Sequence, residues 1–261
     1  MRRSVTMGTN AVGLGTVAEL YRYPVKSMQG QRVHSLRIGP EGAEGDRSWA
    51  LIDVATGKLM SAKRWSKLLL AETDDGGITL PDGTRLPFDG PHVDAELSAW
   101  LEREVVLRQV DPGIDVSYEM TFDPPDDEAE YFEIPTPPGS FLDLAAVHLV
   151  SRQTLEQCAI ARPDLNWDVR RFRPNLVIDA PELSSFGEDA WCGGRLRIGS
   201  VLLDALQPTV RCAMPLRAQP GLGSQPLLFE AMDGLHANHL GIYLSVIERG
   251  TVEVGARVEL M

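Results

Sequence analysis

The sequence predicts a mainly β protein with a few helices (α+β), built as two barrel-like halves. Three observations carry that expectation. Short stretches of alternating apolar residues recur along the 261 residues, and period-two alternation marks strands with one buried face. Helical spacing of apolar residues occurs in only two places. Turn signals rich in Gly and Pro punctuate the strands closely, and one acidic stretch with six prolines, 111–142, divides the chain. The helices are too few for repeated βαβ units, and glycine pairs such as "GLG" do not follow a strand and open a helix, so a dinucleotide fold is disfavoured.

The elements follow in order. "GTVAELYRYPVKSM" (15–28) opens with Val17, Leu20 and Tyr21 on a strand pattern and is punctuated by Pro24. "RVHSLRIG" (32–39) alternates Val33, Leu36 and Ile38 and ends in the glycine-rich turn "GPEGAEGD". "RSWALIDV" (47–54) reads as a buried strand that turns through "ATGK" into "LMSAK" as a hairpin. Short strands fit "GITL", "TRLPF" and "EVVLRQV", and between them Val93, Leu97, Trp100 and Leu101 space a short helix over 93–104. The stretch 111–142 reads as a long linking loop. Beyond it, Ser151 is the expected N-cap of a helix from about Arg152 to Ala161, stopped before Pro163. The segments 175–180, 195–209 and 241–260 are β-patterned, the last as two strands around "ERGT". The expected division is a disordered leader (1–14), an N-terminal β-barrel domain (15–110), the linker (111–142) and a second β-barrel domain (143–261).

Composition narrows the function. Hydrophobic residues at 43% suit a globular core, and the formal net charge is −12, from 37 acidic and 25 basic residues. That balance repels nucleic acid and anionic membrane surfaces, so neither is an expected partner. No apolar run of 18 or more residues offers a membrane span. Three cysteines without CxxC spacing argue against a disulfide framework and structural zinc, and point to a reducing cytoplasm. The first 15 residues lack the apolar core of a signal peptide, and Met7 is an alternative start.

The chemistry centres on Cys212 in "PTVRCAMPL". Arg211 is adjacent, and a neighbouring cation favours thiolate, a soft ligand for a soft metal centre. A free cysteine is equally at home in a core, so core filler, nucleophile and ligand all stay open from the local sequence. Nothing in the spacing of His34, His92, His148, His236 and His239 marks a base for Cys212. His236 and His239 are three apart and could chelate a metal, with a solvated loop as the plainer reading. A second feature is basic: Lys26 and Ser27 in "YPVKSMQG", Arg47 in "GDRSW", Lys63 and Arg64 in "SAKRWSK", and Arg170, Arg171 and Arg173 in "VRRFRPN". Each lies by a turn or strand end and could converge on an anion such as a phosphate. Pro174 is expected to hold Arg173 extended.

"GTVAELYRYPVKSMQGQRV…GDRSWALID" resembles the N-terminal β-barrel domain that precedes MOSC domains. "FRPNLVID…GEDAWCGGRLRIGSVLLDALQPTVRC" and the closing "NHLGIYLSVIERGTVEVGARVEL" resemble the MOSC domain itself. The likeness spans about residues 15 to 260, and YPVKS, DRxW, RPN and RC in this order are far more specific together than singly. Among MOSC proteins the resemblance is to the mitochondrial amidoxime reducing component and the bacterial reductase of N-hydroxylated purines.

The resemblance implies a molybdenum–molybdopterin cofactor, with Cys212 as the protein's thiolate ligand to the metal. Lys26, Ser27, Arg47 and Arg173 match positions that hold the cofactor's phosphate and pterin, and Asn175 is the Asn of RPN. Asp143 aligns with an acidic pocket residue, Tyr243 with a residue closing the site, and Thr209, Val210 and Arg211 form the approach to the cysteine. The implied activity is a molybdenum-dependent oxidoreductase that reduces small N-hydroxylated substrates. No iron–sulfur cysteine cluster or flavin motif is visible, so a separate reductase is the expected electron donor. Two features depart from the pattern: "AMPLRAQPGLGS" replaces the TTVDPxTG-like run after RC, and Leu144 replaces a polar residue. Both touch the substrate side. A persulfide carrier and a cofactor-binding protein without turnover are the alternatives, although a pyridoxal-phosphate domain to generate a persulfide is not expected in this chain. Cys158 and Cys192 lie outside the matched motifs and are read as structural.

Overall fold

A computed structural model describes residues 11–121 and 130–261. The N-terminal half runs β1 (Val12–Arg22), β2 (Gln31–Val33), β3 (Ser35–Gly39), β4 (Gly42–Ala43), β5 (Trp49–Asp53), β6 (Glu72–Asp74), β7 (Gly77–Thr79), β8 (Arg85–Pro87), α1 (Val93–Leu101) and β9 (Val105–Gln109). Then come β10 (Ser117–Met120), β11 (Phe132–Pro135), β12 (Val147–Ser151), α2 (Arg152–Ala161), β13 (Leu176–Asp179), β14 (Arg195–Ile198) and β15 (Val201–Val210). The chain closes with α3 (Leu227–His236), β16 (His239–Glu248), β17 (Gly250–Glu253) and β18 (Arg257–Leu260).

Seven strands form a closed barrel in the order β13-β12-β16-β15-β14-β18-β1, and β1 pairs back onto β13. Only β12 and β13 run parallel in this barrel. Closure leaves no unpaired edge, the state toward which alternating apolar and polar strands are driven. The inward residues, among them Val17, Leu149, Ile178, Leu196, Leu203 and Ile242, form one buried core.

The second core lies in the N-terminal half, where β5 pairs with β9 and β6, β7 and β8 form a small antiparallel sheet. It gathers Val25, Met28, Leu51, Leu69, Ile78 and Leu97. Met214 from the far half is buried in it, and Cys212 packs against its edge. The segment after β15 therefore joins the two halves. A third cluster holds α2 and α3 against Trp167, Phe172 and Leu216.

Several expectations meet a different outcome. The strand at 12–22, read with the N-terminal domain, is a stave of the C-terminal barrel, where it pairs antiparallel with both β13 and β18 and so closes the ring. In the stretch read as a linker, β10 and β11 pair as an antiparallel ribbon and bury Tyr118; 122–129 lies outside the described residues. Most of the expected leader, 1–10, lies outside them as well. The "ATGK" turn does bring its two sides together, though briefly: Ile52 bridges Leu59, the Asp53 amide donates to the Lys58 carbonyl at 2.9 Å and the Met60 amide to the Leu51 carbonyl at 2.8 Å, while the full-length partner of β5 is β9. The last 20 residues make three strands rather than two, and β17 leaves the barrel to pair with β3. Helix α3 was unforeseen. The helix at 152–161 forms as expected, with the Ser151 hydroxyl accepting from the Thr154 amide at 3.1 Å. Among the described residues no helix is long and apolar enough to cross a membrane.

Candidate functional site

The seam between the halves opens into a cleft of about 700 Å³, part of it open to solvent. Lys26, Ser27, Arg47, Asp143, Arg173, Asn175, Val210, Arg211, Cys212 and Tyr243 all line it. Ten residues singled out from the sequence thus share one cavity, although they come from both halves of the chain. Thr209 does not join them: it is fully buried within β15, and its hydroxyl has no hydrogen-bond partner among the described residues.

Local backbone conformation aims the basic residues. Ser27, Arg47 and Arg173 all have positive φ, at 68°, 46° and 53°. Such a conformation costs a non-glycine residue of order 1–3 kcal/mol, and surrounding contacts must hold it there. Arg173 is thus left-handed rather than extended: the short 3₁₀ turn Val169–Arg171 delivers the chain into Pro174 from a helical direction. Arg47 donates to the Arg173 carbonyl at 3.4 Å and is ion-paired with Asp46. Both guanidiniums lie over the buried Tyr23 ring, at 4.6 Å for Arg47 and 4.2 Å for Arg173, a favourable use of the ring's negative face. Burial, reinforced by Arg47, lowers the Arg173 pKa to about 10, still far above neutral pH.

On the opposite side, Asp143 lies between two lysines. Lys26 Nζ donates to Asp143 Oδ1 at 2.5 Å and to the Phe141 carbonyl at 2.6 Å, and Lys63 Nζ donates to Asp143 Oδ2 at 3.0 Å. Burial alone would raise the Asp143 pKa, but the two ammonium groups outweigh it and hold the carboxyl well below the usual range. Burial lowers the Lys26 pKa to about 8, with Lys63 and Arg47 adding to that and Asp143 opposing it. Lys63 moves up instead: burial opposes, but Asp143 and Cys212 favour its charge.

Arg211 donates to the Phe172 carbonyl at 2.8 Å, and its Nη1 lies 3.4 Å from His148 Nε2. Burial, Arg211 and Arg47 hold the His148 imidazole well below its usual pKa, so it is neutral at pH 7. The Asn175 amide is occupied with backbone groups, accepting from His148 N and donating to the Tyr21 carbonyl. It ties β1 to the strand behind the cleft. Cys212 is a free, half-buried thiol at the seam.

The fold and the cleft now stand beside known proteins. A model of the MOSC N-terminal beta barrel domain matches residues 14–101, and one of the MOSC domain matches 138–259. The chain belongs to the MOSC-domain family. The YUAD protein from Bacillus subtilis has a similar fold (TM-score 0.50, 15% identity, 94% of each chain). A looser likeness is to YiiM from Geobacillus stearothermophilus (TM-score 0.36, 18% identity, 57% of this chain and 73% of that one). Among curated proteins none matches.

MOSC domains are associated with the molybdenum cofactor, and the residues present can be tested against such a group. Among the described residues no three His, Cys, Asp or Glu side chains cluster as a metal site. One thiol alone would not hold a bare ion, so a metal here needs ligands supplied by the group that carries it. The cleft suits an anionic carrier. Among the described residues no carboxylate pairs with Arg173 or Arg211, and Arg211 Nε is buried without a partner. An unsatisfied buried donor of this kind is costly unless a ligand uses it. The residues fit.

Three cleft or cleft-side residues were missing from the sequence-derived site: Lys63, Tyr118 and His148. Lys63 stood in the basic motif "SAKRWSK" and could have been placed by its strand-end position. Tyr118 lay in the stretch read as a linker. His148 was one of five unmarked histidines, and only the fold brings it against Arg211. The pair His236 and His239 stays apart from the cleft; His236 Nε2 contacts Asp189 at 2.6 Å, and its ring centroid is 6.3 Å from that of His239. Cys158 is core, and Cys192 packs against the barrel core.

Proposed function

We propose that the cleft binds a molybdenum–molybdopterin cofactor, with Cys212 as the protein's ligand to the metal, and that the protein reduces N-hydroxylated substrates. The observation that carries this reading is the convergence of Lys26, Arg47, Arg173 and Arg211 on the cavity that contains Cys212. An acidic chain has little other reason to bury so many cations around one thiol.

Arg47 and Arg173, fixed side by side on Tyr23, would hold the phosphate and pterin end. Ser27, whose oxygen accepts from the Ala62 amide at 3.0 Å, fixes the turn that presents Lys26. Arg211 holds the Phe172 carbonyl, one residue before Arg173, and its free Nε is a donor for the bound group. Asp143 keeps Lys26 and Lys63 together on the opposite wall. The bound cofactor would supply the two-electron chemistry, which converts an N–OH group and two protons to N–H and water. The electrons would come from a separate reductase.

The test is molybdenum and pterin content of the wild type and of Cys212→Ala, both made in a host that synthesises the cofactor. About one Mo per wild-type chain, with loss or an altered metal spectrum in Cys212→Ala, is the expected outcome. Turnover of an N-hydroxylated substrate with a reduced dye then separates a reductase from a storage protein. A wild type without Mo, or with a persulfide on Cys212 and no Mo, would move the protein to sulfur transfer.

A further inference from the structure

Strand β12 is buried along its whole length, from Val147 to Ser151, and His148 is the one titratable side chain in it. A strand covered on both faces reads as a continuous apolar run, so a histidine inside it needs a polar partner. The partner it finds is Arg211. The guanidinium places Nη1 3.4 Å from His148 Nε2, and its Nη2 donates to the Phe172 carbonyl at 2.8 Å. The Arg211 backbone is clamped as well: its amide donates to the Asn238 carbonyl at 2.9 Å, and its carbonyl accepts from Asn238 Nδ2 at 2.7 Å. Arg211 is thus fixed at both ends, on the wall of the cleft.

From this we infer that His148 is a positioning residue for Arg211: its Nε2 accepts from the guanidinium and fixes its orientation, so that the arginine's charge serves the anion that the cleft binds. This rests on the reading of the cleft as a cofactor site.

The choice of a histidine has a chemical reason. A carboxylate in its place would hold the guanidinium as firmly, but would cancel the charge. An imidazole that accepts through Nε2 carries its one proton on Nδ1 and adds no charge of its own. Burial, Arg211 and Arg47 all favour that uncharged ring. Among the described residues no carboxylate pairs with Arg211, so its full charge remains for a ligand. The ring is itself placed by β16, the strand paired with β12, on which Tyr243 lies opposite His148. The Tyr243 ring leans on the imidazole with 5.7 Å between centroids. Gly241 leaves the space that the imidazole fills, since a Cβ there would lie 2.7 Å from Nε2.

The test uses the cofactor-free protein and inorganic phosphate, titrated by isothermal calorimetry at pH 7. His148→Leu keeps the side chain's bulk and removes the acceptor, whereas His148→Gln returns an acceptor on an amide. His148→Leu should weaken phosphate binding about tenfold, the scale of a hydrogen bond to a charged group, and His148→Gln should stay within about threefold of wild type. In an Arg211→Gln background, His148→Leu should change the affinity by less than about twofold, because the histidine acts through the arginine. A wild type that binds no phosphate, no loss in His148→Leu, or an equal loss in both backgrounds would overturn the assignment. A second readout needs no variant, so it decides the matter if His148→Leu fails to fold. Nitrogen NMR of the wild type at pH 7 should show the His148 ring with its proton on Nδ1 and a bare Nε2, and a proton on Nε2 would equally overturn the assignment. A wild type that lacks molybdenum yet binds phosphate in this pattern would defeat the cofactor reading alone and leave His148 in its role.

Discussion

At the residue scale, the clearest consequence lies in the Lys26–Asp143–Lys63 group. Lys26 has a folded pKa of about 8 against an ordinary 10.5. Between these values the unfolded chain binds more protons than the folded one, so stability rises with pH across that window. Lys63 has the opposite shift, and its stabilisation is lost only above the ordinary lysine value. Wild-type stability should therefore gain about 1 kcal/mol between pH 8 and 9 from Lys26, and Lys26→Met should remove that gain. Urea unfolding at the two pH values measures it; an equal gain in wild type and variant would contradict the account. The basic motifs were legible one by one, each beside a turn or strand end. Their partners were not: Asp143 lies 117 positions from Lys26 in the chain, and no local pattern couples them.

At the element scale, β16 shows how a strand is shaped to serve the cleft. Gly241 has φ +79°, and a Cβ there would come within 2.5 Å of the Leu149 carbonyl and 2.7 Å of His148 Nε2. Gly241→Ala combines an unfavourable backbone with overpacking against a neighbouring strand, and should cost about 2–4 kcal/mol. It should also displace His148 from Arg211. Denaturant unfolding gives the number, and a change below about 0.5 kcal/mol, typical of a neutral surface substitution, would show that the strand has room to shift. Element types were well marked where periodicity is strong, as in β15, α1 and α2. They were poorly marked where a proline-rich, acidic composition masks short pairing, as at β10 and β11. Helix α3 was hidden because Pro226 and glycines precede it and no polar side chain caps its start.

At the scale of the whole molecule, the barrel depends on β1, a strand that begins at Val12 and closes a ring whose other strands start at Val147. A fragment of residues 138–261, although it contains the whole MOSC-domain match, would expose the facing edges of β13 and β18. It would also uncover Cys212 and Met214, which pack on the other half's core. We expect the fragment to show no cooperative unfolding by far-UV circular dichroism in urea. A sigmoidal transition with a native-like slope would mean that the second half closes without β1.

The sequence by itself determined the β-rich class, two of the three helices, the family and ten of the residues that line the cleft, because alternation, caps and short motifs are local and survive without neighbours. Only the tertiary structure decided that the first strand closes the last barrel, that Asp143 lies between Lys26 and Lys63, and that His148 is neutral beside Arg211. Each of these depends on burial and on groups distant in the chain, which act on one another only once the fold has removed the water between them.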